Sequence, residues 1–175
     1  MEQDIKNEEV LANSSSQIVY KGTVKIDVIR GNKVIKSYNN HNQGNISLFS
    51  FITWCLTGEF KDSLRPKFLR GYSKEGEEYT LMTTTPIHYR SCEKIGESKA
   101  VYKFLIPANT IIPQVVDSPK NLNHFRLFSQ DNRDMILDIN SCCAFIDVPD
   151  KDIVPDNKTN FLITWTLEIT NKGGN

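Results

Sequence analysis

No apolar run in this 175-residue chain approaches the roughly 18–20 residues that a bilayer-crossing helix needs. The first residues, MEQDIKNEEVLANSSSQ, carry acids where an export signal has a basic start and an apolar middle. The expectation is a protein made in the cytoplasm, without a signal peptide and without a membrane partner. Charge of one dominant sign is missing as well. Lys plus Arg equals Asp plus Glu at 21 each. Gripping phosphate backbones needs clustered positive charge, so no specific nucleic-acid binding is expected. Cysteine is sparse. Cys55, Cys92, Cys142 and Cys143 form no CxxC pair, and the adjacent two would point to opposite faces of a strand. They read as free thiols.

Groups that carry chemistry are few and poorly spaced. His41, His88 and His124 form no i, i+4 helical pair and no short metal loop. His88 and Cys92, four apart on a strand, would share a face at about 13 Å, too far for a nucleophile and its base. The stretch DVPDKDIVPDN holds Asp147, Asp150 and Asp152 but lacks the glycine and closing glutamate of a calcium loop. Neither a phosphate-cradling glycine motif nor a nucleophile elbow is present. The chain therefore reads as not an enzyme, with no cofactor.

What the chain does have is alternation. In FLITWTLEIT, Phe161, Ile163, Trp165, Leu167 and Ile169 fall on one face, and Thr164, Thr166, Glu168 and Thr170 on the other. That is a strand with one buried and one wetted side. Tyr20, Val24, Ile26 and Val28 alternate with polar neighbours, Gly31-Asn32 supplies a hairpin turn, and Val34–Tyr38 returns. The polar cluster Asn39–Gly44 stops the pair. A short helix follows, capped by Asn45 or Ser47, with Leu48, Phe49, Ile52, Leu56, Trp54 and Cys55 as its apolar surface. Residues 61–78 read as loop around a short Lys67–Gly71 strand. Further strands are expected at Tyr79–Tyr89, Lys99–Ile106, Leu122–Phe128 and Met135–Phe145. Pro107, Pro113 and Pro119 mark residues 107–120 as a crossover.

Seven or eight strands with one helix, and no strand–helix alternation, exclude a doubly wound parallel sheet. The fold class is mainly β, an antiparallel β-sandwich with one short helix packed at an edge. Residues 17–175 form that single domain, and the polar residues 1–16 form a flexible N-terminal arm.

The order of these segments carries a resemblance. A strand pair around Gly31-Asn32 leads to His41-Asn42-Gln43-Gly44 and the helix LFSFITWCLTG. Later come an Ile106-Pro107-Ala108 strand end, HFRLF, a Pro-bounded loop and the final LITWTLEITN. Across residues 20–171 this resembles the small β-sandwich virion proteins of tailed bacteriophages, found in neck, tail and baseplate regions. Arg126 stands before Leu127-Phe128, where those proteins often have a glycine, and the stretch 73–97 has no counterpart in them. The resemblance implies a non-enzymatic building block of the virion, present in many copies. Its partners would be copies of itself and other virion proteins.

Other readings differ in class or station. One is a capsid-surface or fibre-associated virion protein. Another is a carbohydrate-binding sandwich using Tyr72, Tyr79 and Tyr89 as an aromatic platform. Lys61, Arg65, Lys67 and Arg70, with Phe68 and Tyr72 between them, could also contact single strands of nucleic acid, but a solvated charged loop reads the same way. For the subunit reading, the expected contact regions are the arm, the loop 61–78 and the crossover. Arg65, Arg70, Tyr72, Ile111 and Ile112 are their candidate interface residues.

Overall fold

The structure, a computed structural model, describes residues 17–44, 48–50, 52–53, 57–58, 62–112, 120–130, 138, 141–148 and 153–172. Ten strands run through them: β1 Gln17–Arg30, β2 Lys33–His41, β3 Gln43–Gly44, β4 Phe68–Glu75, β5 Glu78–Leu81, β6 Ile87–Ile95, β7 Lys99–Ile106, β8 His124–Phe128, β9 Ala144–Asp147 and β10 Thr159–Lys172. Their order is β2-β1-β10-β7-β6-β4-β8-β9-β3, with β5 on β4, and every pairing is antiparallel.

The order begins and ends on β2 and β3, which are consecutive in the chain with only Asn42 between them. The sheet therefore curls back on itself and flattens into two layers. One layer is β2-β1-β10-β7-β6, and the other is β4, β5, β8, β9 and β3. Two seams join them. β6 meets β4 only at Ile87 and His88, and the chain passes from β2 into β3 at Asn42. The fold is the antiparallel β-sandwich that the alternation predicts.

Between the layers, Val24 and Ile26 of β1, Phe104 of β7 and Trp165 of β10 pack with Leu69, Phe125, Leu127 and Ile146. Each fully buried side chain of this size contributes roughly 1.5–3 kcal/mol. Phe161 and Ile163 are buried as well, so the alternation of the last strand holds over its first half and then fades. Leu167 is half-buried and Ile169 is 37% exposed. The cause is length: β1 and β10 have fourteen residues each, against eight in β4. Their far ends overrun the opposing layer.

The hairpin at Gly31-Asn32 forms as expected, with Gly31 at φ 61° and Asn32 at negative φ. That is the pattern of a type II′ turn, which favours glycine at its first central position. Residues 48–50 and 52–53 are helical, and Leu48 is buried.

Three expectations need correction. Residues 61–78 are not mainly loop, because β4 runs on to Glu75 and turns at Gly76-Glu77 into β5. Tyr79–Tyr89 is not one strand. β5 stops at Leu81, and Met82–Pro86 separates it from β6. β8 starts at His124, later than Leu122. Most of the expected Met135–Phe145 strand lies outside the described residues, and β9 begins at Ala144. The arm 1–16, the helix caps Asn45 and Ser47, Cys55, Trp54, Leu56, Lys61, Pro113, Pro119, Asp150 and Asp152 also lie outside them.

Candidate functional site

Alternation along β4, β8 and β9 sends Leu69, Phe125, Leu127 and Ile146 into the core. Arg70, Tyr72, Lys74, His124, Arg126, Phe128 and Asp147 then share the opposite face. That outer face would ordinarily be wet. Here Arg70 is 5% exposed, and Tyr72, His124 and Arg126 are at 0%. Tyr72, Phe128 and Cys142 form a second small apolar cluster there, with Phe68, Tyr79, Leu81 and Phe145 packed against it.

A polar chain runs from this cluster to the surface: His124 and Arg126 are buried, while the Asp147 side chain is 44% exposed. His124 Nδ1 lies 2.6 Å from Asp147 Oδ1, and Arg126 donates from Nε to His124 Nε2 at 2.8 Å. Because Nε2 accepts, the ring proton sits on Nδ1 and is donated to the carboxylate, so the imidazole is neutral. Lys74 Nζ donates to Asp147 Oδ2 at 2.7 Å. The Arg126 guanidinium carbon lies 4.5 Å from the centre of the Tyr72 ring and 4.2 Å from that of Tyr79. Cation–π contacts with two rings replace part of the water that its charge gives up.

The electrostatics agree with that geometry. Burial, helped by the charge of Arg126, pushes the His124 pKa from 6.5 down to about 4, against the pull of Asp147. Burial alone would raise Asp147, but its hydrogen bonds from Lys74 and His124 outweigh it and hold the carboxyl below its usual value. The bond to Asp147 in turn raises Lys74. An imidazole with Nε2 occupied by arginine has no lone pair to accept a proton from a nucleophile. The arrangement therefore fixes the second layer in place.

The candidate interface residues are scattered, and three of them are internal. Arg70 is buried and donates at 3.2 Å to the carbonyl of Thr83, in the segment that follows β5. Tyr72 stacks under Arg126 in the second cluster. Ile111 is 7% exposed and bridges Thr83. These three pack within the chain itself. Arg65 is half-buried, donating to the Tyr89 hydroxyl at 2.8 Å. Ile112 stays 39% exposed, anchored by its N–H to the Met82 carbonyl. With Tyr72 buried and Tyr79 and Tyr89 half-buried, the aromatic platform is not assembled. His88 packs on Phe68 while Cys92 stands opposite Tyr102, so those two do not form a pair. Among the described residues, no three or more His, Cys, Asp or Glu side chains gather to hold a metal.

Two surfaces escaped the sequence reading. The first is β2. One edge of β2 pairs with β1, and the other carries no strand among the described residues. All of its nine residues except half-buried Tyr38 are exposed. Val34 and Ile35 stand 55% and 54% exposed between Lys33 and Lys36. The Lys36 ammonium lies 4.9 Å over the Tyr38 ring. The β1–β2 register skips Ile35, between the Val28–Lys36 and Ile29–Val34 pairs. Two adjacent β-branched residues between lysines were the signal available in the sequence. The second surface is a cavity of about 650 Å³ under the overrunning ends of β1 and β10, where Tyr20, Tyr102, Leu167 and Ile169 face Leu48 and Ile52. Compared with protein families, curated proteins and solved structures, the chain matches none.

Proposed function

We propose that this chain is a non-enzymatic structural subunit of a tailed-phage virion, assembling in many copies at the neck or tail. The observation that carries the reading is the outer edge of nine-residue β2, which pairs with no strand among the described residues and bears adjacent exposed Val34 and Ile35. Such an edge is a liability for an isolated molecule and a ready joint for an assembled one. The resemblance across residues 20–171 supplies the station in the particle. Locked side chains around His124 fit a part whose task is to hold shape under load.

The test is the mass of the purified protein in solution by light scattering, full length against a form lacking residues 1–16. A discrete oligomer that falls to a monomer when the arm is removed is the expected result. A monomer in both forms would count against self-assembly through the arm.

A further inference from the structure

The cavity of about 650 Å³ under the ends of β1 and β10 has two apolar walls. Tyr20, Tyr102, Leu167 and Ile169 line it from the sheet, and Leu48 and Ile52 from the helical segment. We infer that Val10 and Leu11 of the same chain fold back into this cavity and anchor the arm to its own subunit. Such a seat needs no second copy, so it goes beyond the multi-copy reading. It leaves residues 1–7 outside the cavity, where they can still meet a neighbour.

Size comes first. Folded proteins leave few voids larger than a water molecule, and this one has the volume of about twenty waters. Its two walls are unequally covered. Leu48 is buried, whereas Leu167 is half-buried and Ile169 exposed. The sheet wall is short of cover because β1 and β10 overrun the opposing layer, and apolar side chains laid against it would gain by leaving water.

The arm begins at the right place. Gln17 opens β1, and Tyr20 lines the cavity three residues later, about 10 Å along the strand. From Gln17 back to Leu11 is six steps, at most about 22 Å. A reversal within Asn13-Ser14-Ser15-Ser16, residue types that favour turns, brings Leu11 and Val10 level with Tyr20. Val10-Leu11-Ala12 is the one run of adjacent apolar residues among the first sixteen. Neighbours in an extended segment point to opposite sides, and this cavity offers a wall to each.

Other occupants compete poorly. A short flexible tether gives the arm an effective concentration in the millimolar range, which a second copy or a small molecule has to exceed. Charge does not favour an amphiphile with a charged head. Lys94 and Glu97, which also line the cavity, are both exposed and opposite in sign. Lys99, the remaining charged residue of the lining, is paired with Glu168 at 3.4 Å.

The test is a cross-link within one full-length chain, with Cys55→Ser and Cys92→Ser as background. Leu11→Cys is combined with Ile169→Cys in one variant and with Val34→Cys in a control, and both are treated with a short thiol-to-thiol reagent. Val34 stands opposite Ile29, and Gln17 to Ile29 spans about 40 Å of strand. The control site therefore lies beyond the reach of the chain's own Leu11. The intrachain link should form at least about tenfold faster with Ile169→Cys, and adding Val10→Asp should slow it. In the natural background, Val10→Asp with Leu11→Asp should raise the fluorescence of a dye that binds apolar surface. Equal intrachain rates, or a dye signal that the two aspartates leave unchanged, would overturn the seat. A link that joins Leu11→Cys to Ile169→Cys only between two chains would also overturn it, and would give the cavity to a neighbour's arm.

Discussion

His124 sits between partners of opposite sign. Asp147 accepts its proton, and Arg126 occupies its other nitrogen. Burial disfavours the charged ring first, and the Arg126 cation beside it adds to that, so its pKa falls to about 4. The consequence for stability has a definite sign. Between pH 6.5 and about 4 the unfolded chain takes up a proton on His124 that the folded chain refuses, so stability is full above 6.5 and declines as pH falls. A shift from 6.5 to about 4 corresponds to about 3 kcal/mol lost between pH 7 and pH 4. Asp147 adds to the loss below that window, since its depressed carboxyl is stabilising only while ionised. Urea midpoints at pH 7, 5 and 4 should show the decline, and His124→Gln should flatten it. Equal slopes in both proteins would exclude His124 as the source. None of this was legible in HFRLF. The period of two places His124, Arg126 and Phe128 on one face, but it does not report what covers that face. The cover includes Tyr79 and Leu81 on β5 and Cys142 before β9, all distant in the sequence.

At the scale of elements, the passage from one layer to the other rests on a close approach. Asn42 separates β2 from β3, donates its N–H to the Gly22 carbonyl at 3.1 Å, and donates from Nδ2 to the Tyr20 hydroxyl at 2.8 Å. A Cβ on Gly22 would lie 1.5 Å from Asn42 Oδ1 and 2.5 Å from the Tyr20 hydroxyl. Gly22→Ala must therefore push Asn42 out of its seat. A loss of about 1–3 kcal/mol is expected from the overpacking and the broken hydrogen bond, read from denaturant midpoints. A neutral result would mean that the corner does not depend on Asn42. Long strands and their hairpins could be read directly: β1, β2, β7 and β10 alternate over many residues, and a glycine turn marks the first pair. The short strands were hidden. β3 has two residues, and β5 has four within a run that continues to Tyr89. Their pairing with strands that are remote in sequence defines them more than any local pattern does.

For the whole molecule, the question is whether two layers joined at two narrow seams behave as one body. β1 and β10 pair the start of the sandwich to its end, Gln17 opposite Lys172. Trp165, from β10, is packed in the same cluster as Leu69, Phe125 and Ile146 of the other layer. Separating the layers would expose that whole apolar surface at once, which argues for a single cooperative transition. His124 lies on the outer face of one layer and Trp165 belongs to the other, so the pair can test this. In a Trp54→Phe variant, Trp165 is the one remaining tryptophan. Its fluorescence then reports on the first layer, while far-UV circular dichroism reports on all strands. Lowering the pH from 7 to 4 acts through His124 on the second layer. If the sandwich is one unit, both probes should shift to lower urea by the same amount and remain superimposable. A Trp165 transition that stays in place while the dichroism moves would mean that the second layer peels away alone, with the β6–β4 seam as its line of separation.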